Sequence, residues 1–496
     1  MSGSAEQVDE DLERVHGVGR IRAKARKGTC EMRTVTEVRS EDAMTVGRAA
    51  TAGLFDDGAG GRGLVWWGGQ FWAWSGGRWK ARKWEDMVDE LWKGLGDLMV
   101  VRERDGEEVR TRWGPTRQKV GDVMAAMRAM ASIGDREVPC SLGGQPVDPE
   151  LAWRLVTMED RVVDVLTGES VERGPGWFDT CVVPTRWEDR GLPCPTWTRC
   201  VSEWSGGDAV WEECLRRMMG YCMMGWRGLH KWFLMYGKVR SGKGTIMHVL
   251  GRLCGAGFKG VTLDVFHQDH GLSACLGARV LSVGEVGELT GRQGETVCRT
   301  IKGITTGDPL SVRVMYQTPL TGVRLGAAVV MQANEIPTLP DSMDGLTSKM
   351  VLLPFENSFL DREDVHLKEK LDGELAGIAG WALEGARRVV ESGDPKRAIP
   401  MTARAQGVIE TFKDQGSPVR VWMEGVFEGS AADWVGSQTL VRLWRRDNPG
   451  SHMSATTLVR KVIESSPWKV ERWKSNGERR VRGLRLKHVS DRQEFE

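Results

Sequence analysis

The chain has 496 residues, with 69 Lys and Arg against 68 Asp and Glu for a formal net charge of +1, and 40% of its residues are apolar. That length exceeds one ordinary hydrophobic core, so about two to four folded units are expected. The balanced charge neither supports nor excludes DNA: it excludes only a globally basic surface, so a nucleic-acid partner has to be held by local basic patches.

Ten cysteines (Cys30, Cys140, Cys181, Cys194, Cys200, Cys214, Cys222, Cys254, Cys275 and Cys298) are scattered, with no CxxC pair and no zinc-ribbon spacing. They read as reduced thiols. Met1 to Gly28 is polar and lacks the apolar core of a signal peptide, and no stretch reaches the roughly 20 apolar residues of a membrane span. A cytoplasmic location and no membrane partner are expected.

Residues 1–53 are rich in charge, Ser, Thr and Gly and have little periodicity, which predicts a loosely ordered tail. An N-terminal α+β domain is expected over 54–200. Within it, Leu64 to Trp79 reads L-V-W-W-G-G-Q-F-W-A-W-S-G-G-R-W, aromatic runs broken by Gly-Gly pairs, which predicts a three-strand meander. Lys83 to Leu98 follows as a helix with Trp84, Met87, Val88, Leu91 and Trp92 on one face. Arg161 to Val171 predicts a further hairpin, and Leu192 to Trp197, L-P-C-P-T-W, a connector. A helical collar is expected over 201–230, built on Val210, Trp211, Cys214, Leu215 and Met218. The apolar run Trp232 to Tyr236 then predicts a buried strand.

A glycine-rich loop begins on the next residue. Gly237 to Thr245 reads G-K-V-R-S-G-K-G-T, and a helix is predicted over Ile246 to Leu253. Strand, loop and helix in that order suit phosphate: backbone amides from Gly237, Arg240, Ser241, Gly242 and Gly244 close around its oxygens, the helix N-terminus favours the anion, and Lys243 reaches the outer phosphates. The position after Lys243 is Gly244 where Ser or Thr is usual. The magnesium hydroxyl is therefore assigned to Thr245, with Ser241 as the weaker choice. A second strand, Ala278 to Glu285, ends in Glu285, with Glu288 close behind, to meet Mg2+ and the attacking water. A third, Leu325 to Asn334, ends on Asn334, whose amide can hold that water. Three apolar strands each ending in a polar residue predict a parallel sheet with its site at the carboxyl edge.

The last unit, expected over 401–496, starts with a polar helix after Ala403. It continues with helices over Ser437 to Arg446 and Ser454 to Ser465, then two strands joined through Ser475, Asn476 and Gly477. That layout predicts a winged helix. Lys469, Arg472, Lys474, Arg479, Arg480, Arg482, Arg485 and Lys487 crowd the strand pair, and Arg460 and Lys461 lie on the second helix, a distribution suited to phosphate contacts and insertion in a DNA groove. Trp66, Trp67, Trp72, Trp74 and Trp79 are read as core rather than base-stacking residues. His267 and His270, three apart with no completing ligand, are read as structural.

Taken together, R-S-G-K-G-T in the loop, Glu285 followed by Thr290 to Arg292, I-T-T-G-D-P-L at Ile304 to Leu310, N-E-I-P at Asn334 to Pro337 and Asp344 to Phe355 resemble the superfamily 3 DNA helicases of the phage and plasmid primase-helicase type, over roughly Leu54 to Leu486. The resemblance implies an α/β fold: a P-loop NTPase core of AAA+-like kind over 231–400, with the mixed α+β domain before it and the winged helix after it. It also implies a homo-hexameric ring that hydrolyses ATP with Mg2+ at subunit interfaces and tracks on single-stranded and forked DNA. A separate primase or other replication proteins would be partners. A phage or mobile-element protein of this kind works in the bacterial host cytoplasm. The primase-polymerase domain of longer relatives finds no room upstream, so primer synthesis is not expected.

Two departures stand out. Lys349 occupies the place where the family usually has an arginine acting across the interface, and a lysine lacks its planar, several-donor geometry. Arg299 or Arg313 is the alternative. Where relatives place a lysine before a tyrosine in the DNA-contacting hairpin, this chain has Met315 and Tyr316, which leaves Arg313 as the channel contact. A DNA-remodelling ATPase without unwinding, an initiator whose motor has lost activity, and a small-molecule kinase sharing the G-K-G-T ending remain alternatives.

Overall fold

The computed structural model describes residues 21–23, 33–55, 63–134, 136–143, 148–224, 228–286, 291–314, 318–335, 344–415, 418–451, 453–475 and 478–487. Helix α1 (Ala43–Leu54) opens at Asp42, whose carboxylate accepts from the Thr45 amide at 2.9 Å and so satisfies a donor that the first turn leaves free. Residues 33–55, expected in a loose tail, instead enter a core. Val35, Val38, Val46, Ala49 and Ala50 are buried there. Small side chains explain why composition hid them: alanines and Gly47 let α1 pack tightly on a later helix, with the Met130 side chain 3.2 Å from where a Gly47 Cβ would stand. The remainder of the expected tail, 1–20 and 24–32, lies outside the described residues.

The meander forms as read, with β1 (Leu64–Trp67), β2 (Gln70–Ser75) and β3 (Arg78–Arg82) antiparallel in sequence order. Gly68, Gly69, Gly76 and Gly77 all have φ between 59° and 77°, the left-handed pair that a two-residue turn between twisted strands requires. Trp72 and Trp79 are buried around Phe178, each meeting its ring edge-on at 5.5–5.6 Å. Helix α2 (Trp84–Gly94) buries Met87 and Leu91 but leaves Trp84 and Trp92 exposed, Trp84 in the first turn with its ring stacked near Phe71. Helix α3 (Arg117–Ala131) closes the unit through Val120, Val123, Met124 and Met127.

The hairpin expected at 161–171 is part of a three-strand sheet, β4 (Leu155–Thr157), β5 (Arg161–Asp164) and β6 (Ser170–Glu172). Its Val156, Val163 and the following Cys181 and Val183 share a core with the central sheet rather than with α1 to α3. The expected connector at Leu192 to Trp197 is also revised. Pro195 opens helix α4 (Pro195–Ser205), since proline at the first helical position has no amide to lose and its φ is already helical. Helix α5 (Ala209–Met223) follows, capped by Asp208.

Next come β7 (Trp232–Gly237), helix α6 (Lys243–Cys254), β8 (Phe258–Val261), β9 (Val280–Glu285), helix α7 (Gly291–Thr306), a hairpin of β10 (Leu310–Val312) and β11 (Leu320–Val323), then β12 (Ala328–Ala333) and β13 (Met350–Phe355). Five of these strands form one parallel sheet in the order β8-β9-β12-β7-β13. Alternate residues face opposite sides, as the two-residue period of a strand demands. Phe233, Met235, Val330 and Leu353 pack on α5, α6 and helix α8 (Leu375–Glu391), whereas Trp232, Leu234, Val329 and Leu352 pack on α7 and helix α9 (Ala403–Gln415). The result is a three-layer α/β core. Among the described residues no helix is long and apolar enough to cross a membrane.

A buried ion pair ties the preceding segment to this sheet. Arg279, just before β9, donates to Asp179 at 2.8 Å, and both side chains are nearly inaccessible. Asp179 also accepts from the Thr157 hydroxyl at 2.6 Å and the Cys181 amide at 3.0 Å.

The last core starts later than 401. Ala405 and Ile409 of α9 belong to the central layers, and a separate cluster begins at Val419 in helix α10 (Pro418–Val426). Strand β14 (Phe427–Gly436), helices α11 (Ser437–Asp447) and α12 (Ala455–Ser465), β15 (Glu471–Ser475) and β16 (Glu478–Leu486) complete it, with β16 between β14 and β15. The helices and the β15–β16 pair fall where the sequence predicts them, and β14 is an addition. Asn476 and Gly477 of the expected turn lie outside the described residues.

Candidate functional site: a glycine-rich loop at the carboxyl edge of the parallel sheet

Strand β7 delivers the chain to the carboxyl edge of the sheet at Gly237, and α6 leaves it at Lys243. Between them the backbone takes conformations that side chains resist: φ is 137° at Gly237, 57° at Arg240 and 99° at Gly242. Space is as restrictive as torsion at two of these. A Cβ on Gly237 would collide with the Phe355 carbonyl, and one on Gly242 with the Trp204 indole. The loop is braced from outside as well, with the Lys238 amide donating to the Phe355 carbonyl, the Ser358 hydroxyl to the Val239 carbonyl at 2.9 Å and the Phe359 amide to the Arg240 carbonyl at 2.9 Å.

Lys243 is turned into the loop and buried there. Its ammonium donates to the Gly237 carbonyl at 2.6 Å, the Lys238 carbonyl at 2.7 Å and the Ser241 hydroxyl at 3.2 Å. Ser241 is buried too, while Gly244 and Thr245 face the opening at the N-terminus of α6. That opening is a cleft of about 720 Å³, shared by Arg240 to Thr245 with Gln332 and Asn334 at the end of β12. Two pieces the sequence reading missed complete its walls: Arg199, Cys200 and Trp204 from α4, and Phe359, Arg362 and Lys368 from the segment after β13. The cue was thin, since the start of α4 was read as a connector and its last turns as the beginning of a helical collar. Arg240 itself points outward, 3.6 Å from Glu363.

Glu285 ends β9 at the same edge, its backbone paired with Gln332 of β12 across a bulge at Gly284. Because β12 lies between β9 and β7, Glu285 stands two strand spacings, about 10 Å, from the loop strand. The loop residues, Thr245, Asn334 and the Glu285 position therefore converge on one edge.

Lys349 is elsewhere. Trp232 pairs with Met350 and Gly237 with Phe355, so Lys349 precedes β13 at the amino edge, where its carbonyl accepts from the Trp232 amide at 3.2 Å. At roughly 3.3 Å per residue the strand separates it from the loop by about 20 Å, beyond the reach of any lysine side chain. Beside it are Lys231, pulled below the ordinary lysine range by burial and by the Lys349 ammonium, and His230, lowered by the same two causes against the opposing pull of Asp308.

The remaining candidates are surface groups. Arg299 is exposed on α7, and Arg313, just after β10, lies 3.3 Å from Asp269 with both side chains open to solvent. Met315 and Tyr316 lie outside the described residues. In the last unit Arg460, Lys469, Arg472, Lys474, Arg479 and Arg482 are exposed, with Lys461 and Arg480 half-buried. Arg460 sits 3.9 Å from Glu464, and Arg482 donates to the Ala431 carbonyl at 3.3 Å.

No family pattern and no curated protein matches this chain. Among solved structures it is similar to the apo C-terminal region of NrS-1 (305–718), at 9% identity and TM-score 0.47, and to an A-form apo structure of that C-terminal region, at 11% and 0.45. Each alignment covers 84% of this chain and 94% of the other.

Proposed function

We propose that this chain is an ATP hydrolase that works on DNA as a ring-forming helicase, with the triphosphate seated on Gly237 to Thr245. One observation carries the reading: a strained glycine loop holding a buried lysine, the N-terminus of α6, Asn334 and the Glu285 position all meet at one edge of a parallel sheet. Helix N-termini and convergent amides bind phosphate, and an acidic strand end one strand removed leaves room for the outer phosphate and a water.

In this reading Lys243 exchanges its carbonyl partners for phosphate oxygens. The Thr245 hydroxyl and the Glu285 carboxylate would hold Mg2+, which supplies charge neutralisation on the phosphate oxygens. Asn334 orients the attacking water, and Glu285 takes its proton as the oxygen bonds to the outer phosphorus and the bond to ADP breaks, which leaves ADP and inorganic phosphate. Lys349, too far from its own loop, serves the loop of a neighbouring subunit. The basic face of the last unit, of winged-helix layout, holds DNA by its phosphates.

Steady-state ATP hydrolysis tests the site: Lys243→Ala is expected to abolish turnover while circular dichroism stays that of the parent, and parental turnover in that variant would sink the assignment. Strand displacement on a forked duplex tests the motor. A second reading, a replication initiator or DNA-remodelling ATPase with weak or no unwinding, is favoured by the lysine at 349, and it expects hydrolysis without displacement.

A further inference from the structure

Trp434 and Trp473 are well exposed, at 43% and 39%, as are Trp84 and Trp92 of α2, but only the first two share one sheet. They come from the two outer strands of the last sheet. Trp434 of β14 pairs with Arg482 of β16, and Trp473 of β15 pairs with Arg480 of the same central strand. Val435 and Val481, one residue out of phase, are buried. The strand period therefore turns both indoles, Arg480 and Arg482 to the opposite, solvent side. Arg480 lies over the Trp434 face, its guanidinium carbon 3.5 Å from that centroid and 5.7 Å from that of Trp473, to one side of two tilted rings that are 6.3 Å apart. Arg482 extends the positive charge along this face with Glu471 opposite it, whereas Lys474 and Arg479, one register position beyond Trp473, belong to the other face and Arg485 is paired with Glu428.

We propose that this cluster of Trp434, Trp473 and Arg480 is a stacking site for the unpaired bases of a single DNA strand. Exposed indole faces beside a guanidinium offer what a nucleobase stacks on, and Arg480 and Arg482 match the phosphates between successive bases. A duplex cannot use the site, because its bases present only edges. The role differs from groove insertion by α12: it gives the sheet the unpaired strand at a junction. The inference rests on the reading of this chain as a DNA-handling protein, but its test needs no ATP turnover.

The test uses the full chain without nucleotide and a thymidine strand of about 12 residues, the upper part of the site size for stacking platforms, carrying 5-iododeoxyuridine. Irradiation is expected to join the strand to Trp434 or Trp473, as read by peptide mass spectrometry; adducts confined to other peptides overturn the proposal. By fluorescence anisotropy, Trp434→Ala/Trp473→Ala is expected to weaken binding of the plain strand about ten-fold and of a hairpin duplex less than about two-fold, while the Trp→Phe pair keeps most of the affinity. No loss, or equal loss on both DNAs, overturns it. DNA-independent ATP turnover of the same variant should match the parent. A parent that hydrolyses no ATP but cross-links at these tryptophans would remove the proposed motor and leave the stacking site standing.

Discussion

The two edges of the parallel sheet carry one lysine each that matters, and they treat it in opposite ways. At the carboxyl edge Lys243 is buried and, among the described residues, donates to three oxygens of its own loop within 3.2 Å. At the amino edge Lys349 keeps company with Lys231 and His230, and among the described residues no carboxylate pairs with Lys349 or Lys231. A cation satisfied by its own loop is ready for an anion that enters that loop. One grouped with like charges at the far end of the strands gains most from an anion brought by another molecule. If Lys349 assists the chemistry proposed for the carboxyl edge, it has to do so at the loop of another copy of the chain.

Substitutions can break that division. The largest effect is expected from Lys243→Ala, with no measurable turnover. Lys349→Ala should follow, lowering hydrolysis in assembled protein by about 10³-fold or more while nucleotide affinity, measured by titration, stays near that of the parent. Lys349→Arg should raise the rate, because a guanidinium donates two parallel bonds where an ammonium is a compact charge. Glu285→Gln should slow the chemical step by about 10²- to 10⁴-fold and trap ATP; normal hydrolysis would pass the role to Glu288. Asp179→Asn leaves the Arg279 guanidinium buried without its counter-charge and is expected to cost about 3–5 kcal/mol of stability in denaturant titration, with no direct effect on the loop.

The smallest effect concerns the helices behind the loop. Hydrogen bonds from Arg387 hold the Glu384 carboxyl at about 2, well below its ordinary 4.5, and Arg388 adds to this while also reaching Glu213 of α5 at 2.7 Å. A depressed carboxyl stabilises the fold fully above pH 4.5 and loses that contribution as pH falls through about 2. Because these groups are partly exposed, Glu384→Gln should cost no more than about 1 kcal/mol at neutral pH, and the difference from the parent should vanish at the acid end.

The carboxyl edge was legible in the sequence because three apolar runs each stop at a polar residue, and a parallel sheet turns that rule into proximity. What escaped was set by long-range register. Nothing local to Ser348, Lys349 and Met350 tells that β13 runs beside β7 and so puts Lys349 at the wrong edge for its own loop. Trp204, which closes over Gly242, falls in the stretch expected to be a helical collar, but nothing local to it tells that α4 packs on the loop. Strand β14 has few β-branched residues and contains Gly429, Ala431 and Ala432, and it is a strand only because β16 pairs with it across a bulge. The basic residues at 469–487 were visible in the text; that Trp434, some forty residues upstream, shares their sheet was not.

The claim that the two edges act on each other across subunits has a direct test in mixed assemblies. Lys243→Ala and Lys349→Ala subunits, each inactive alone, are combined under conditions where a fluorescent label shows that subunits exchange, and ATP hydrolysis is followed. Some mixed interfaces then pair an intact Gly237 to Thr245 loop with an intact Lys349, so partial activity should return. No recovery in assemblies that demonstrably exchange, or full turnover by Lys349→Ala alone, would contradict a role for Lys349 at its neighbour's loop.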